Sequence, residues 1–325
     1  MLTVGVDLGG TSIKTALVER GRGIVHESSA LTEAELGPTH VLDRIADLVR
    51  EVSASAGLDR LEGVGVGAPG SINWDRTTIS HPPNILGWGV VNVQAELQQR
   101  LGVALPIIVE NDANAAGLGS AHYGAGRPFR SFLMVTLGTG VGGAIIYEGR
   151  IFRGTTGAAG EIGHMTIDRD GPPANSGVRG AIEAFLGNRF LSAHARTLLG
   201  TKDDSLLYTM LGPKLEGLTP RHLHEAAQAG DKAAEGVLRW AGERLGAVLG
   251  SAINLLDIRK IIVGGGVSAA GSFILGPARE TVASYVTPSL RDGIEILQET
   301  LGNEAGTLGA AHLLFEHLDG QANPS

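Results

Sequence analysis

The sequence contains no cysteine, and aromatic residues make up only 4% of its 325 positions. Without cysteine the chain forms neither disulfides nor thiolate metal sites, although this absence does not report the redox compartment. No apolar run reaches the length that crosses a membrane, and the opening segment LTVGVDL lacks the basic region and cleavage site of a signal peptide. We therefore expect a cytoplasmic protein without a membrane partner.

Positive charge is also scarce. Lys and Arg number 26 against 34 Asp and Glu, giving a net charge of -8, and the basic residues form no block. This balance argues against a nucleic-acid partner. Glycine is abundant instead, with 49 residues, which is typical of an α/β enzyme with many tight turns that closely approach a ligand. The length exceeds what one hydrophobic core usually covers, so we expect two lobes with a cleft between them.

Apolar strand patterns alternate with helical patterns along the chain. Strands are predicted over TVGVDLGG, SIKTALVER, GIVHESSA, GVGVGAPG, LPIIVEN, SFLMVTLG, GGAIIYEG, GRIFRG, KIIVGGG and IEILQET. Helices are predicted over HVLDRIADLVREVSASAG, VNVQAELQQRLG, DANAAGLGSA, most of 181–254, GPARETVASYV and AGTLGAAHLLFEHL. The segments VDLGGTSIKTALV and VTLGTGVGGAIIY share a strand, a glycine-rich turn and a returning strand. Duplicated lobes would produce this, although any hairpin with glycine in its turn looks similar.

The first of three glycine-rich turns is DLGGTSIK. Asp7 ends a buried strand, Gly9 and Gly10 remove side chains from the turn, and Thr11 adds a hydroxyl beside free backbone N–H groups, an arrangement that fits phosphate oxygens. A carboxylate at a phosphate needs an intervening Mg²⁺ or its waters, and Lys14 adds positive charge. The turn is not a Walker A loop, because the chain returns as a strand instead of opening a helix.

The second turn, LGTGVGGA, formally matches G-x-G-x-x-G through Gly138, Gly140 and Gly143, with Glu161 near the place of a ribose-binding acid. A dinucleotide fingerprint nevertheless requires a helix after the glycines, whereas AIIYEGRIF continues as a strand. The third turn, KIIVGGGVSAAG, is either an ordinary strand-to-helix turn or a place where backbone approaches a flat purine. Three such turns, each ending an apolar strand, together favour a nucleotide site.

The segment VENDANAAG places Asn111 and Asp112 where a strand ends and a helix begins. Asp112 is by type a good N-cap residue. It is equally suited to accept the proton of a substrate hydroxyl as that hydroxyl attacks phosphorus. Position alone does not choose between these two roles.

Six motifs occur in order across nearly the whole chain: VDLGGTSIK, GVGAPGSIN, ENDANAA, LGTGVGGA, GAAGEIGH and IVGGGV. Together they resemble the ROK family of bacterial sugar kinases, glucokinases in particular. The resemblance implies an actin-like ATPase fold, with two ribonuclease H-like lobes closing over ATP and a sugar. It divides the chain into a small lobe of residues 1–112 with 305–325 and a large lobe of residues 113–304.

The resemblance also implies roles for individual residues. Asp112 becomes the general base. The expected sugar contacts are Gly70, Asn84, Asn111, Asp112, Glu161, His164 and Glu183. The expected contacts to ATP are Asp7, Gly9, Gly10, Thr11, Lys14, Gly138, Thr139, Gly140, Gly142, Gly143, Gly264, Gly265 and Gly266, with Mg²⁺ carried by ATP near Asp7.

The loop after His164 departs from the family pattern. ROK enzymes commonly bind a structural zinc through the His of GEIGH and three cysteines spaced C-x-C-x4-C. In this chain Ala174, Ser176 and Ala181 stand at the cysteine positions. Neither alanine nor serine replaces a thiolate, and one histidine does not close a tetrahedral site, so we expect no zinc here.

The expected reaction is 6-phosphorylation of a hexose, most simply glucose, by ATP. N-acetylmannosamine, N-acetylglucosamine, fructose or allose are alternative substrates, polyphosphate is an alternative donor, and a sugar-binding regulator without catalysis is an alternative class. We expect an enzyme because Asp112 is present and because the fold begins by Leu2, which leaves no place for a helix-turn-helix. The resemblance implies a homodimer, with a tetramer as the alternative.

Overall fold

The computed structural model describes residues 1–83, 85–200 and 204–322. The strands within these ranges are β1 (Leu2–Leu8), β2 (Ser12–Glu19), β3 (Gly23–Leu31), β4 (Gly63–Ala68), β5 (Ser71–Ile72), β6 (Thr78–Ser80), β7 (Val90–Asn92), β8 (Ile107–Asn111), β9 (Phe132–Leu137), β10 (Val141–Tyr147), β11 (Arg150–Ile151), β12 (Lys260–Gly264) and β13 (Glu295–Gln298). The helices are α1 (Gly37–Ser53), α2 (Val93–Leu101), α3 (Asp112–Tyr123), α4 (Glu183–Leu186), α5 (Asn188–Leu199), α6 (Leu206–Leu211), α7 (Pro220–Gln228), α8 (Lys232–Leu256), α9 (Ser272–Val282) and α10 (Ala305–Ala322). Every strand and helix predicted from the sequence is confirmed.

Two five-stranded sheets share one strand order. The first runs β3-β2-β1-β4-β8, with β3, β2 and β1 antiparallel and with β4 and β8 parallel to β1. The second runs β11-β10-β9-β12-β13, with β12 parallel to both β9 and β13. This repetition agrees with the duplication that the two similar glycine-turn segments indicated. A third sheet, β5-β6-β7, was not predicted, because its strands have only two or three residues each and show no periodicity.

The chain divides into two compact units. Unit 1 comprises Met1–Arg130, Ala144–Ala159 and Asn303–Ser325, and unit 2 comprises Ser131–Gly143 and Gly160–Gly302. Helix α3, most of which falls within the large lobe expected from the sequence, lies in unit 1 because it packs very closely on α10. A Cβ atom added at Gly119 would lie 2.0 Å from the carbonyl oxygen of Ala305, so these two helices approach through backbone alone.

The core of unit 1 lies between the first sheet and its helices. Val4, Val6, Val64 and Val66 are fully buried on β1 and β4. Between the last two, a Cβ atom at Gly65 would lie 1.7 Å from the carbonyl oxygen of Ala310, so α10 rests directly on the backbone of β4. This contact holds the carboxyl ends of the parallel strands on a rigid support.

Unit 2 is built around α8. Its buried residues recur at helical spacing, for example Ala234, Leu238, Ala241 and Leu245, and they form the apolar stripe against which other helices of the unit pack. None of the described helices combines the length and the continuous apolar character that crossing a bilayer requires.

Candidate functional site

Three predicted residues of unit 1, Asp7, Asn111 and Asp112, meet at one edge of the first sheet. In the parallel register Asp7 pairs with Gly67, and the residue after Gly67, Ala68, pairs with Asn111. Carboxyl ends of parallel strands in this kind of fold are where ligands bind. Asp7, Asn111 and Asp112 therefore emerge side by side, although 104 or more positions separate Asp7 from the other two.

Asp7 has an unusual protonation equilibrium. Burial raises its pKa from 3.8 to about 6, the facing Lys14 on β2 opposes that rise, and the negative charge of Asp112 adds to it. The two carboxylates are therefore close enough to interact electrostatically. A pair of carboxylates with a single neighbouring lysine is a donor set that suits a divalent cation and its waters.

Asn111, rather than Asp112, is the N-cap of α3. Its side-chain oxygen accepts the backbone N–H groups of Ala113 at 3.0 Å and Asn114 at 3.2 Å. The capping role that the residue type of Asp112 indicated is thus filled by its neighbour. Asp112 begins the helix, and its Oδ1 accepts the Ala113 N–H at 2.8 Å.

Asp112 is exposed to solvent as a residue, yet the surrounding protein reduces the hydration of its carboxyl group. This desolvation raises the pKa of Asp112 above 3.8, while hydrogen bonds from the N–H groups of Ala113 and of Asp112 itself, and from the Asn111 side chain, lower it. A carboxyl group with a raised pKa that is still reachable from solvent is suited to take up a proton from a bound hydroxyl.

The first glycine-rich turn joins β1 to β2 and is anchored from one side. The Gly9 N–H donates to the Ser12 carbonyl at 3.0 Å, and the Thr32 hydroxyl and N–H donate to the carbonyls of Gly9 and Thr11 at 2.6 and 2.9 Å. Thr11 is exposed and Gly10 is half-buried at the tip of the turn. The turn is therefore a fixed, accessible piece of backbone, as a phosphate-binding turn needs to be.

Two further predicted sugar contacts belong to the segment after β4. Gly70 has a φ of 97°, and a Cβ atom there would lie 2.9 Å from the Cα of Pro82, so only glycine fits this bend. Asn84 lies outside the described residues.

The second and third glycine-rich turns lie next to each other in unit 2. Gly138, Thr139 and Gly140 form the turn between β9 and β10, whereas Gly142 and Gly143 already belong to β10. Gly264 is the buried last residue of β12, and Gly265 and Gly266 are exposed after it. With a φ of 85°, Gly265 passes so close to β9 that a Cβ atom would lie 2.4 Å from the Leu137 carbonyl oxygen. The two turns thus share one edge of the sheet.

A cavity of about 510 Å³ opens at this edge. Both turns line it, and its opposite wall comes mainly from α7, through Arg221, His224, Glu225 and Gln228. Its volume lies in the range of small-molecule sites. The α7 residues were not predicted from the sequence, because their spacing indicates only a helix and no glycine, motif or charge run marks them as binding residues.

Glu161 and His164 lie at the ends of one short helical turn, Ile162–His164. Their side chains are 54% and 36% exposed, and Oε2 of Glu161 lies 3.7 Å from Nε2 of His164. Carboxylate and imidazole at this separation can share neighbouring hydroxyls of one ligand. These two predicted sugar contacts are therefore accessible.

Glu183 has different surroundings. It is only 8% exposed, and its two oxygens accept the backbone N–H groups of Val141 and Asn175, each at 3.3 Å. A Cβ atom at Gly140 would lie 2.4 Å from Oε2 of Glu183. Glu183 thus lies directly beneath the second glycine-rich turn and connects it to the loop at residue 175.

The loop that follows His164 is closed by hydrogen bonds. Oγ of Ser176 lies 3.2 Å from Nδ1 of His164, and the backbone N–H of Ala174 donates to the Val178 carbonyl at 2.9 Å. Ala174 and Ala181 are buried. Over residues 1–83, 85–200 and 204–322 no three His, Asp or Glu side chains are grouped so as to hold a metal ion.

Comparison with known proteins agrees with this architecture. The ROK family profile matches residues 3–317. A glucokinase of Halalkalibacterium halodurans is 37% identical over 314 residues, covering 96% of this chain and 94% of its own, and a glucokinase of Thermotoga maritima is 34% identical over 317 residues, covering 98% of both. The crystal structure of a ROK family glucokinase from Streptomyces griseus in complex with glucose and AMPPNP superposes with a TM-score of 0.86 at 33% identity, covering 97% of this chain and 100% of that one.

The repeated sheet order and this superposition place the protein in the actin-like ATPase, or ribonuclease H-like, fold class. Within that class, the chain belongs to the ROK family.

Proposed function

We propose that this protein transfers the γ-phosphoryl group of ATP to the 6-hydroxyl of glucose. The observation that carries the proposal is the pair Asp7 and Asp112 at one sheet edge, of which Asp112 combines a raised pKa with access to solvent. The glucokinase relatives and the solved structure that holds glucose and AMPPNP support the choice of sugar and donor.

Asp112 acts as the general base. It takes the proton of the sugar hydroxyl as the oxygen–phosphorus bond forms, a contribution of about 10²- to 10⁴-fold to the rate. Phosphoryl transfer has a loose transition state and depends mainly on positioning and charge neutralisation, so a weak base is sufficient. Asn111 holds the helix start in place, which keeps the Asp112 carboxylate in a defined orientation.

The nucleotide is assigned to the turns. The cavity lined by Gly138, Thr139, Gly266 and α7 accepts the purine and ribose end. The turn at Gly9–Thr11 with Lys14 offers donors to phosphate oxygens. Asp7 would hold the waters of the Mg²⁺ that ATP carries, since its carboxylate is poorly hydrated and close enough to Asp112 for the two charges to interact. The ion would supply positive charge to the phosphoryl oxygens.

The sugar is assigned to Asn111, Glu161 and His164, together with the predicted contacts Gly70, Asn84 and Glu183. Amide, carboxylate and imidazole groups each pair with adjacent hydroxyls. Such a site rejects a sugar lacking one hydroxyl by about 10⁴-fold, because its own polar groups would be left unpaired.

A coupled phosphorylation assay tests this function. The panel contains glucose, fructose, allose, N-acetylglucosamine and N-acetylmannosamine, each with ATP and with polyphosphate as donor. We expect the highest kcat/KM for glucose with ATP and a loss of about 10²- to 10⁴-fold in kcat for Asp112→Asn. Near-full turnover by a folded Asp112→Asn protein would refute the assignment of the base, and binding of sugar without turnover in the native protein would indicate a regulator.

The need for ATP supports a cytoplasmic location, and the net charge of -8 supports the absence of a nucleic-acid partner. We include in the proposal a homodimer without a membrane partner. Light scattering of the purified protein measures the number of chains.

A further inference from the structure

The residue before the Asn111–Asp112 pair is a fully buried glutamate. Glu110 lies on β8, is 0% exposed, and directs its two oxygens to different groups. Its Oε1 accepts the backbone N–H of Asn111 at 2.9 Å and the side-chain amide of Asn114 at 3.1 Å. One carboxylate oxygen therefore contacts both sides of the corner at which β8 becomes α3.

The other oxygen of Glu110 lies between two arginines. The Nε atoms of Arg76 and Arg153 are each 3.1 Å from Oε2. These contacts are ion pairs without aligned hydrogen bonds, so their attraction is mainly coulombic. Because Arg153 is only 8% exposed, water screens this attraction little.

Arg153 in turn fixes a loop from another part of unit 1. Its guanidinium donates to the carbonyls of Asn73 and Trp74 at 3.1 and 3.0 Å and lies over the Trp74 ring, 5.2 Å from its centroid. Arg76 belongs to the same loop, has a φ of 58°, and accepts the backbone N–H of Val109 on β8 at 2.8 Å. The loop, the segment carrying Arg153 and the strand carrying Glu110 are thus joined at one carboxylate.

We propose that Glu110 is a positioning residue for phosphoryl transfer: held between Arg76 and Arg153, it sets the orientation of Asn111 and Asp112 at the strand-to-helix corner. The inference rests on the proposed function, because it assigns to Glu110 the placement of the proposed base. A buried carboxylate with four partners contributes to this placement by allowing the corner only one arrangement.

The first test is Glu110→Gln. Glutamine keeps the shape but removes the charge that balances both guanidiniums, so we expect the corner to shift. A displacement of about 1 Å costs about 10²-fold in rate, and we expect kcat to fall by roughly that factor. The KM for glucose rises as well, because Asn111 is a proposed sugar contact. The affinity for AMPPNP, measured by calorimetry, stays within about twofold of the native value. The cavity proposed for its purine and ribose end lies in unit 2, and its proposed phosphate contacts, Gly9–Thr11 and Lys14, are not among the partners given above for Glu110.

The matched control is Glu19→Gln. Glu19 also lies on a strand of unit 1 and pairs with an arginine, Arg22, at 3.3 Å, but it is 40% exposed. In the sheet it pairs with Leu2, at the opposite end of β1 from Asp7. We expect native kcat and KM values for this variant. If Glu110→Gln does not fold, Arg153→Lys is used in its place. Lysine keeps the charge but cannot contact the two carbonyls and Glu110 at once. We therefore expect kcat to fall and the KM for glucose to rise in this variant as well.

Amide hydrogen exchange gives a readout that does not depend on turnover. We expect the amides of residues 107–116 to exchange faster than in the native protein in Glu110→Gln, or in Arg153→Lys. In Glu19→Gln we expect their exchange rates to equal the native ones. The proposal would be overturned if Glu110→Gln kept the native kcat, glucose KM and exchange rates. It would also be overturned if the AMPPNP affinity fell in parallel with kcat, because a parallel loss indicates general unfolding. A native protein that phosphorylates no sugar contradicts the proposed function instead, and the exchange data then decide on Glu110.

Discussion

Asp7→Asn is expected to make the protein more stable and less active at neutral pH. In the native state burial and the neighbouring Asp112 raise the pKa of Asp7 from 3.8 to about 6. Between pH 3.8 and about pH 6 the native protein therefore still holds a proton on Asp7 that the unfolded chain has already released. Its stability falls as the pH rises from about 4 to about 6 and then stays constant.

The size of this loss follows from the pKa. A rise from 3.8 to about 6, at about 1.4 kcal/mol for each pKa unit, corresponds to about 3 kcal/mol at neutral pH. Asparagine has nearly the same shape and no charge, so Asp7→Asn removes this cost and stabilises the protein by up to about 3 kcal/mol. At about 2.1 cal/mol/K of unfolding entropy for each of 325 residues, 1 kcal/mol corresponds to about 1.5 °C, so the melting temperature rises by about 4–5 °C. Activity falls, because the carboxylate proposed to hold the magnesium waters is lost.

The assay is thermal unfolding of both proteins between pH 4 and pH 8 without nucleotide. We expect melting temperatures that differ little at pH 4 and diverge up to about pH 6.5. Asp59→Asn, at an exposed aspartate of the same unit, serves as the control and shows no such divergence. A difference between Asp7→Asn and native protein that is independent of pH, or of opposite sign, would refute the argument from burial.

Two further predictions concern stability and metal binding. Gly65→Ala places a Cβ 1.7 Å from a backbone carbonyl oxygen of α10, and we expect urea unfolding to show a loss of about 3 kcal/mol in stability. The control Gly236→Ala lies at an exposed position of α8 with open space around it, and we expect it to stabilise the protein by about 0.5–1 kcal/mol. Equal effects of the two substitutions would contradict the packing of α10 on β4. Changing Ala174, Ser176 and Ala181 together to cysteine creates, with the histidine already beside Ser176, a four-ligand site that binds one zinc per chain in metal analysis, while the native chain binds none.

Much of the fold was predictable because the signals are local. The strands before Gly9 and Gly138 are short runs rich in apolar residues and are followed by glycines, and such patterns act over a few residues. The short strands of the third sheet escaped prediction, because two or three residues carry no period. Helix α3 was assigned to the other lobe because its contact with α10 joins segments nearly 200 residues apart.

The candidate site was predictable to a lesser extent. Asp112 and His164 stand in motifs, so residue type and order were sufficient to select them. The partners of Glu183 were not visible in the sequence, since its two hydrogen bonds go to backbone N–H groups of distant residues. Arg221 and His224 of α7 were missed for a related reason: only folding brings that helix to the glycine-rich turns.

The sequence by itself determined which segments form strands and helices, where glycine permits close approach, and to which family the chain belongs, because each of these depends on residue type and on order along the chain. Only the tertiary structure decided that Asp7 and Asp112 are neighbours, that Asn111 rather than Asp112 caps α3, and that Glu110 is buried between two arginines. Those properties arise from burial and from charges brought together across the chain, and electrostatic energies depend on distance in space, not on separation in sequence.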